Sequence, residues 1–174
     1  PTLDTRSSWR QRPLRPVRCE SPSSLCCAAS DLELRRVAAG CQERDSLRKD
    51  LLRDFKAQGW NVQPTEHAPN GIRFMEPPAG NLFQLAQFKK GHFEVQDEAS
   101  QLLGMRVDCK PKQTVLDYCG GSGGKTLVFA PFMQNSGQIY VHDIRKSVII
   151  QAKQRLRRAG VQNAQVHEDK VKLR

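Results

Sequence analysis

Residues 115–126 read Val-Leu-Asp-Tyr-Cys-Gly-Gly-Ser-Gly-Gly-Lys-Thr, an apolar run that stops at Asp117 and opens into four glycines. A strand that ends at a carboxylate and turns through glycine into a helix brings backbone N–H groups close to a ligand, and such turns belong to α/β sheets. Spacing separates the classes that use this turn. A phosphate-binding loop needs glycine six residues before the Lys of Gly-Lys-Thr, where this chain has Cys119, which argues against a P-loop hydrolase. A dinucleotide fingerprint needs Gly-x-Gly-x-x-Gly, but Gly121 and Gly123 are followed by Thr126. What remains is Asp-x-small-x-Gly-x-Gly, filled by Asp117, Cys119, Gly121 and Gly123.

Downstream, residues 138–142 (Gln-Ile-Tyr-Val-His) read as a second strand that ends at Asp143, 20 positions after Gly123. At about that distance a strand-end carboxylate accepts hydrogen bonds from ribose hydroxyls in nucleoside-binding α/β units. Taken together, the two strand ends and the glycine spacing resemble the cofactor loop of S-adenosylmethionine-dependent methyltransferases.

The formal charge of +10 is unevenly spread. Residues 144–174 hold nine basic and two acidic side chains, whereas residues 97–143 hold four basic and five acidic. A one-signed patch beside a nucleoside pocket points to a polyanionic partner. The predicted helix 147–159 concentrates it, with Val148, Ile149, Ala152 and Leu156 inward and Lys146, Lys153, Arg155, Arg157 and Arg158 in water. Six cysteines and four scattered histidines form no paired Cys-x-x-Cys arrangement, so free thiols in a reducing compartment and no metal site are expected. That places the chain inside the cell, with nucleus or nucleolus, cytoplasm and organelle all open. No apolar run of about 18 residues exists, so no membrane helix is expected.

Residues 1–31, with five Arg and six Ser, read as a disordered or leader segment. Residues 32–94 read as a small α+β unit. Leu47, Leu51, Leu52 and Phe55 form an amphipathic stripe over 46–58, capped by Asp45 or Ser46, and short strands flank the Pro69-Asn-Gly71 turn. A second helix is predicted through 93–103, with Asp97 near its first turn and Ala99, Leu102 and Leu103 buried. Residues 95–174 then supply three strands, 114–117, 138–142 and 164–167, where a doubly wound sheet has five or more. The expected fold class is α/β: an incomplete Rossmann-like methyltransferase domain, its N-terminal half, behind the small unit.

Gly91 with Val95-Gln-Asp-Glu-Ala-Ser100, followed by the 115–126 loop, resembles the RsmB/Nop/Sun family of RNA cytosine-carbon-5 methyltransferases. The family loop reads Cys-Ala-Ala-Pro-Gly-Gly-Lys; here Gly120, Gly121 and Ser122 stand where the family has Ala-Ala-Pro. The stretch from Asp143 to Gly160 also follows the family, and the likeness spans roughly residues 35–169. It implies S-adenosyl-L-methionine as cofactor, held by Cys119, Gly120, Gly121, Ser122, Gly123, Gly124 and Lys125, with Asp143 on the ribose and Asp169, or its neighbour Glu168, on the adenine. It implies an RNA partner, rRNA or tRNA, bound by the 32–94 unit; the charge pattern adds Lys146, Lys153, Arg155, Arg157 and Arg158, with Arg48, Lys49, Arg53 and Lys56 of the small unit, as phosphate contacts. It implies methyl transfer to carbon 5 of cytosine after a cysteine thiolate adds to carbon 6, with a second cysteine assisting elimination. Both those cysteines follow proline in the family, and this chain contains no Pro-Cys pair, so no residue of it is assigned a catalytic role. Cys119 matches a loop cysteine and is expected to be a small buried packing residue. The competing expectation is a non-catalytic RNA-binding protein with a vestigial pocket.

Overall fold

The computed structural model describes residues 31–34 and 41–167, and two sheets organise them. Residues 1–30, Glu168 and Asp169 lie outside the described residues, and so do the expectations attached to them.

The first sheet is antiparallel. Its strands are β1 (Asp31–Leu34), β2 (Val62–Pro64), β3 (Gly71–Phe74) and β4 (Phe93–Val95), in the order β2-β3-β1-β4. Sequence reading places no strand at 31–34. The Asp-Leu-Glu-Leu alternation there has the period of a strand, but four residues carry too little of it to stand out. Helix α1 (Cys41–Ala57) starts more than a turn before the expected 46, so Asp45 sits inside it, paired with Lys49 at 2.7 Å, rather than capping it. Phe55 on α1 is fully buried, with Trp60, Phe74 and Phe93 at centroid distances of 5.2, 5.5 and 5.8 Å. These rings dominate the small core by area. A 3-10 turn (Leu82–Gln84) and the short helix α2 (Ala86–Lys89) then bring Phe88 against it.

The segment after 93 corrects a prediction. Phe93 is drawn into the aromatic core and pairs with Leu34, so 93–95 is a strand, and helix α3 covers Glu98–Met105 only. Asp97 is its N-cap, accepting the Ser100 N–H at 2.8 Å. The buried face of α3 is Glu98, Gln101 and Gly104; Ala99 and Leu103 are exposed. The helix is turned by what it must reach. Gly104 lies against Val128, and Glu98 accepts the N–H groups of His67 and Ala68 at 2.6 and 2.9 Å and an ion pair from Arg73.

The second sheet is parallel, ordered β5 (Thr114–Asp117), β6 (Gln138–His142), β7 (Ala164–His167). Helix α4 (Gly124–Phe129), which runs into a 3-10 turn at Ala130–Met133 where Pro131 interrupts it, joins β5 to β6. Helix α5 (Lys146–Arg158) joins β6 to β7. Ile139, Val141, Leu127, Phe129, Met133 and Leu156 make the core on one face of the sheet, with Val115 and Val166 packed against it. The opposite face carries Leu116, Tyr140 and Gln165 in register, and Leu116 is exposed.

Between the sheets the junction is ionic. Glu94 of β4, with only 5% of its side chain exposed, receives Arg155 Nε at 3.1 Å and the Arg158 guanidinium, and Arg158 also lies 4.2 Å over the Phe88 ring. A Cβ on Gly91 would fall 2.0 Å from the Arg158 carbonyl oxygen, so the units meet there backbone to backbone.

Backbone donation from Ala68 holds the Glu98 carboxyl below its ordinary value, helped by His67 and Arg73 and opposed by burial. Glu98→Gln is expected to destabilise the chain by about 1–3 kcal/mol in urea unfolding, because donors are left facing an amide. A depressed carboxyl contributes its stability above the unfolded-state value and loses it as pH falls through the folded one. The gap between wild type and Glu98→Gln should therefore persist at neutral pH and close only below the usual glutamate range.

Candidate functional site

The turn after β5 owes its shape to glycine. Gly121 and Gly123 have φ of 54° and 78°, in the left-handed region that suits glycine, and the Gly123 N–H closes the turn on the Gly120 carbonyl at 2.8 Å. Four further contacts fix the loop to its surroundings. Gly120 N–H donates to the His142 carbonyl at 2.9 Å, and His142 Nδ1 lies 3.0 Å from the Tyr118 carbonyl. Gly121 N–H donates to Asp143 Oδ2 at 2.9 Å, and Thr126 Oγ1 donates to Asp117 Oδ2 at 2.6 Å. Asp117 thus ties the strand end to the first turn of α4, while Asp143 grips the loop from the next strand.

A cavity of about 610 Å³ opens beside this loop. Its walls are Cys119, Gly120, Gly121, Ser122, Gly124 and Lys125 from the turn, Gln96, Asp97 and Ser100 from the start of α3, and Arg145, Val148, Gln151 and Arg155 from α5. Six of the seven loop residues expected at a cofactor therefore line one space. Gly123 does not; it is buried, with its Cβ position 3.4 Å from Ala152 of α5, and Asp143 is not in the wall either, standing behind Gly121 and Arg145, which are. Cys119 is not the buried packing residue expected of it. Its thiol is exposed and free, because the turn points it away from the sheet core, whereas Cys109 is buried.

Asp143 is buried and all its acceptor positions are used. Oδ1 takes the Arg145 N–H at 2.9 Å and Arg145 Nε at 3.0 Å; Oδ2 takes the Gly121 N–H and Arg145 Nη2 at 3.1 Å. The Arg145 side chain foremost, then its backbone N–H and that of Gly121, holds this carboxyl well below the usual carboxylate range. The Arg145 side chain is 64% exposed, so a solvated cation covers the carboxylate. On the other wall Asp97 is held below its ordinary value by Ser100, with a smaller contribution from Lys125.

The basic set on α5 divides. Lys146, Lys153 and Arg157 are exposed, at positions i, i+7 and i+11 along one stripe. Arg155 and Arg158 do not stay in water. Their side chains are 17% and 23% exposed and committed to Glu94, and Arg155 Nη1 also donates to Ser122 Oγ at 2.8 Å and Ser122 O at 3.2 Å. The expectation that they face RNA is corrected: a buried carboxylate 61 and 64 residues away claims both. On α1, Arg48 and Lys49 share Asp45, and Arg53 lies 3.1 and 3.6 Å from Asp50 and Asp54.

Gln96, Ser100 and Arg145 line the cavity although sequence reading does not mark them as site residues, and Arg155, read as an RNA contact, lines it too. Only the Val95–Ser100 motif hinted at the first two, and nothing local marks the arginines. Among the described residues no group of His, Cys, Asp and Glu is placed to hold a metal, and no helix is long and apolar enough to cross a membrane.

A family model described as 16S rRNA methyltransferase RsmB/F matches residues 105–173, the stretch that carries the loop, Asp143 and α5. A probable ribosomal RNA small subunit methyltransferase B of Bacillus subtilis is 30% identical over 114 residues, 66% of this chain and 25% of the relative. A 28S rRNA (cytosine-C(5))-methyltransferase of Mus musculus is 29% identical over 134 residues, 77% of this chain and 28% of the relative. The chain thus spans about a quarter of the length of these two relatives. Among solved structures, a methyltransferase homologue from Pyrococcus horikoshii shares the fold, with a TM-score of 0.64 at 22% identity over 81% of this chain and 44% of that one. With its glycine loop inside the matched stretch, the chain belongs to the RsmB/Nop/Sun family.

Proposed function

We propose that residues 95–167 form the cofactor side of an S-adenosyl-L-methionine-dependent methyltransferase that acts on carbon 5 of cytosine in rRNA or tRNA. One observation carries this: a strand-end carboxylate bonded to the N–H of Gly121, a glycine-loop residue that lines a cavity of nucleoside size. The donor set suits the cofactor. Asp143, behind Gly121 and Arg145 of the cavity wall, offers acceptors to a ribose diol once Arg145 moves aside, and Asp97 and Lys125 in the wall offer opposite charges to the amino and carboxylate groups of the methionine arm. When bound, the cofactor supplies the methyl group; the chain's own residues bind it, orient it and shield it. The cysteine chemistry that the resemblance assigns to Pro-Cys motifs has no counterpart among residues 1–174.

The ribose and Arg145 want the same oxygens. Two of the four acceptor positions of Asp143 are held by backbone N–H groups and two by the Arg145 guanidinium. A ribose diol takes the second pair and sends Arg145 into solvent.

RNA is the proposed partner, and the small sheet unit preceding the loop is proposed to share in binding it. The free charge for phosphates lies on the Lys146–Lys153–Arg157 stripe more than on α1, whose cations are matched by Asp45, Asp50 and Asp54. Among the described residues exposed rings for stacking are few, which favours backbone contact over base reading.

Titration calorimetry of the chain with S-adenosylhomocysteine tests the cofactor reading. Asp143→Ala should abolish binding, and Arg145→Ala should tighten it by about threefold or more, since it removes a competitor. Unchanged affinity in Asp143→Ala would sink the assignment. Because Asp143 is charged far below neutrality, its affinity should not titrate between about pH 5 and 8.

Cys119 gives a second readout. Its alkylation by iodoacetamide, followed by mass spectrometry, should slow when S-adenosylhomocysteine is added, while the buried Cys109, whose thiol burial pushes up, stays unreactive throughout. Equal Cys119 rates with and without ligand would place the ligand elsewhere.

For RNA, replacing Lys146, Lys153 and Arg157 together by Gln should reduce the log–log salt slope by about 2, at roughly 0.7 per lost phosphate contact on single strands. Affinity for unrelated RNAs should fall by similar factors. An unchanged slope, read by filter binding across salt, would make that stripe a solvated surface.

A further inference from the structure

We infer that Arg155 is a positioning residue for the cofactor loop, supplying from across the fold the restraint that proline gives at position 122 in the resembled family. The inference rests on the cofactor reading above. The turn 120–124 has glycine at every position but one, so little in its own backbone restricts it. Ser122 is the exception, and its φ lies outside the left-handed region that Gly121 and Gly123 occupy on either side. A proline ring confines φ to about −65°, on the same side of zero. Serine does not, and the loop needs an external hold.

Arg155 provides it through both polar groups of Ser122. Nη1 donates to the Ser122 hydroxyl at 2.8 Å and to its carbonyl at 3.2 Å, and so fixes the peptide plane as well as the side chain. The guanidinium is itself held: Nε on Glu94 at 3.1 Å and Nη2 on the Val95 carbonyl at 3.5 Å. A planar fork with donors in fixed directions transmits this orientation, where an ammonium would pivot. Three pieces distant in sequence, β4, the loop and α5, thus converge on one side chain that also lines the cavity. The alternative is that Arg155 only neutralises Glu94, in which case the loop contact is incidental.

Three measurements on the chain separate the two: S-adenosylhomocysteine affinity, amide hydrogen exchange of residues 119–125 without ligand, and thermal stability. Arg155→Gln should weaken affinity about tenfold and speed exchange in the loop. Adding Ser122→Pro to Arg155→Gln should bring affinity back to within about threefold of wild type while the melting temperature stays low, since proline restrains the loop but leaves Glu94 short of a partner. Glu94→Gln should lower the melting temperature with affinity within about threefold. If Arg155→Gln does not fold, Arg155→Lys, which keeps the charge and loses the fork, should show the loop and affinity defects at near-normal stability. The inference is overturned if Ser122→Pro fails to restore affinity, if Glu94→Gln weakens it as much as Arg155→Gln, or if loop exchange is unchanged in the Arg155 variants. Should the wild type bind no S-adenosylhomocysteine while loop exchange still responds to Arg155, the cofactor reading falls and the hold on the loop stands.

Discussion

A carboxylate removed from water must be matched by cations and donors or it destabilises the fold that buries it. Glu94 is matched by two arginines from one helix, and much of the arrangement follows from that pairing. Glu94 closes the small antiparallel sheet at β4; Arg155 and Arg158 close the helix that covers the parallel sheet. The pair therefore sets how the two sheets face each other. Because Arg155 extends past Glu94 to Ser122, it also sets where the glycine loop stands. Removing either partner would leave the other buried and unpaired, so the junction is sensitive well beyond the modest value of an exposed ion pair.

The loop is held on all sides by groups that arrive from elsewhere. His142 and Asp143 come from the end of β6, Thr126 from α4 and Arg155 from α5. Glycine gives the loop access to its shape, and these contacts choose that shape among those glycine allows. A binding site built this way carries its ordering cost in the folded scaffold, so less is left for the ligand to bear.

What sequence made legible follows from how local each signal is. The β5–loop–α4 unit and β6 with Asp143 rest on contiguous residues at fixed spacing, and the structure brings six of the seven loop residues to one cavity. Asp169 lies outside the described residues. Helix α5 was legible as an amphipathic helix, yet its basic residues could not be sorted: Arg155 and Arg157 look alike until Glu94 is known to stand beside one of them. The same holds for α3, whose buried Glu98 serves a loop thirty residues upstream while Leu103 stays out. Hydrophobic periodicity assumes that apolar residues choose the buried side, and at a junction made of carboxylates and guanidinium groups that assumption fails.

An ionic junction has a property that an apolar one of equal area lacks. Apolar surfaces tolerate sliding by a fraction of a side chain at little cost, because their attraction is non-directional. The Glu94–Arg155 contact has an angle as well as a distance, and a shift of one ångström would break the bond to Ser122 before the core noticed. Gly91 adds a hard stop in the same place, since its backbone abuts that of Arg158 with no room for a side chain. A directional bond and a steric stop together fix the register between the small unit and the parallel sheet, and the cavity lies where their residues meet. Under the proposed function, in which a small cofactor group is presented to a base in a much larger RNA, that fixed register is the physical requirement the junction would meet.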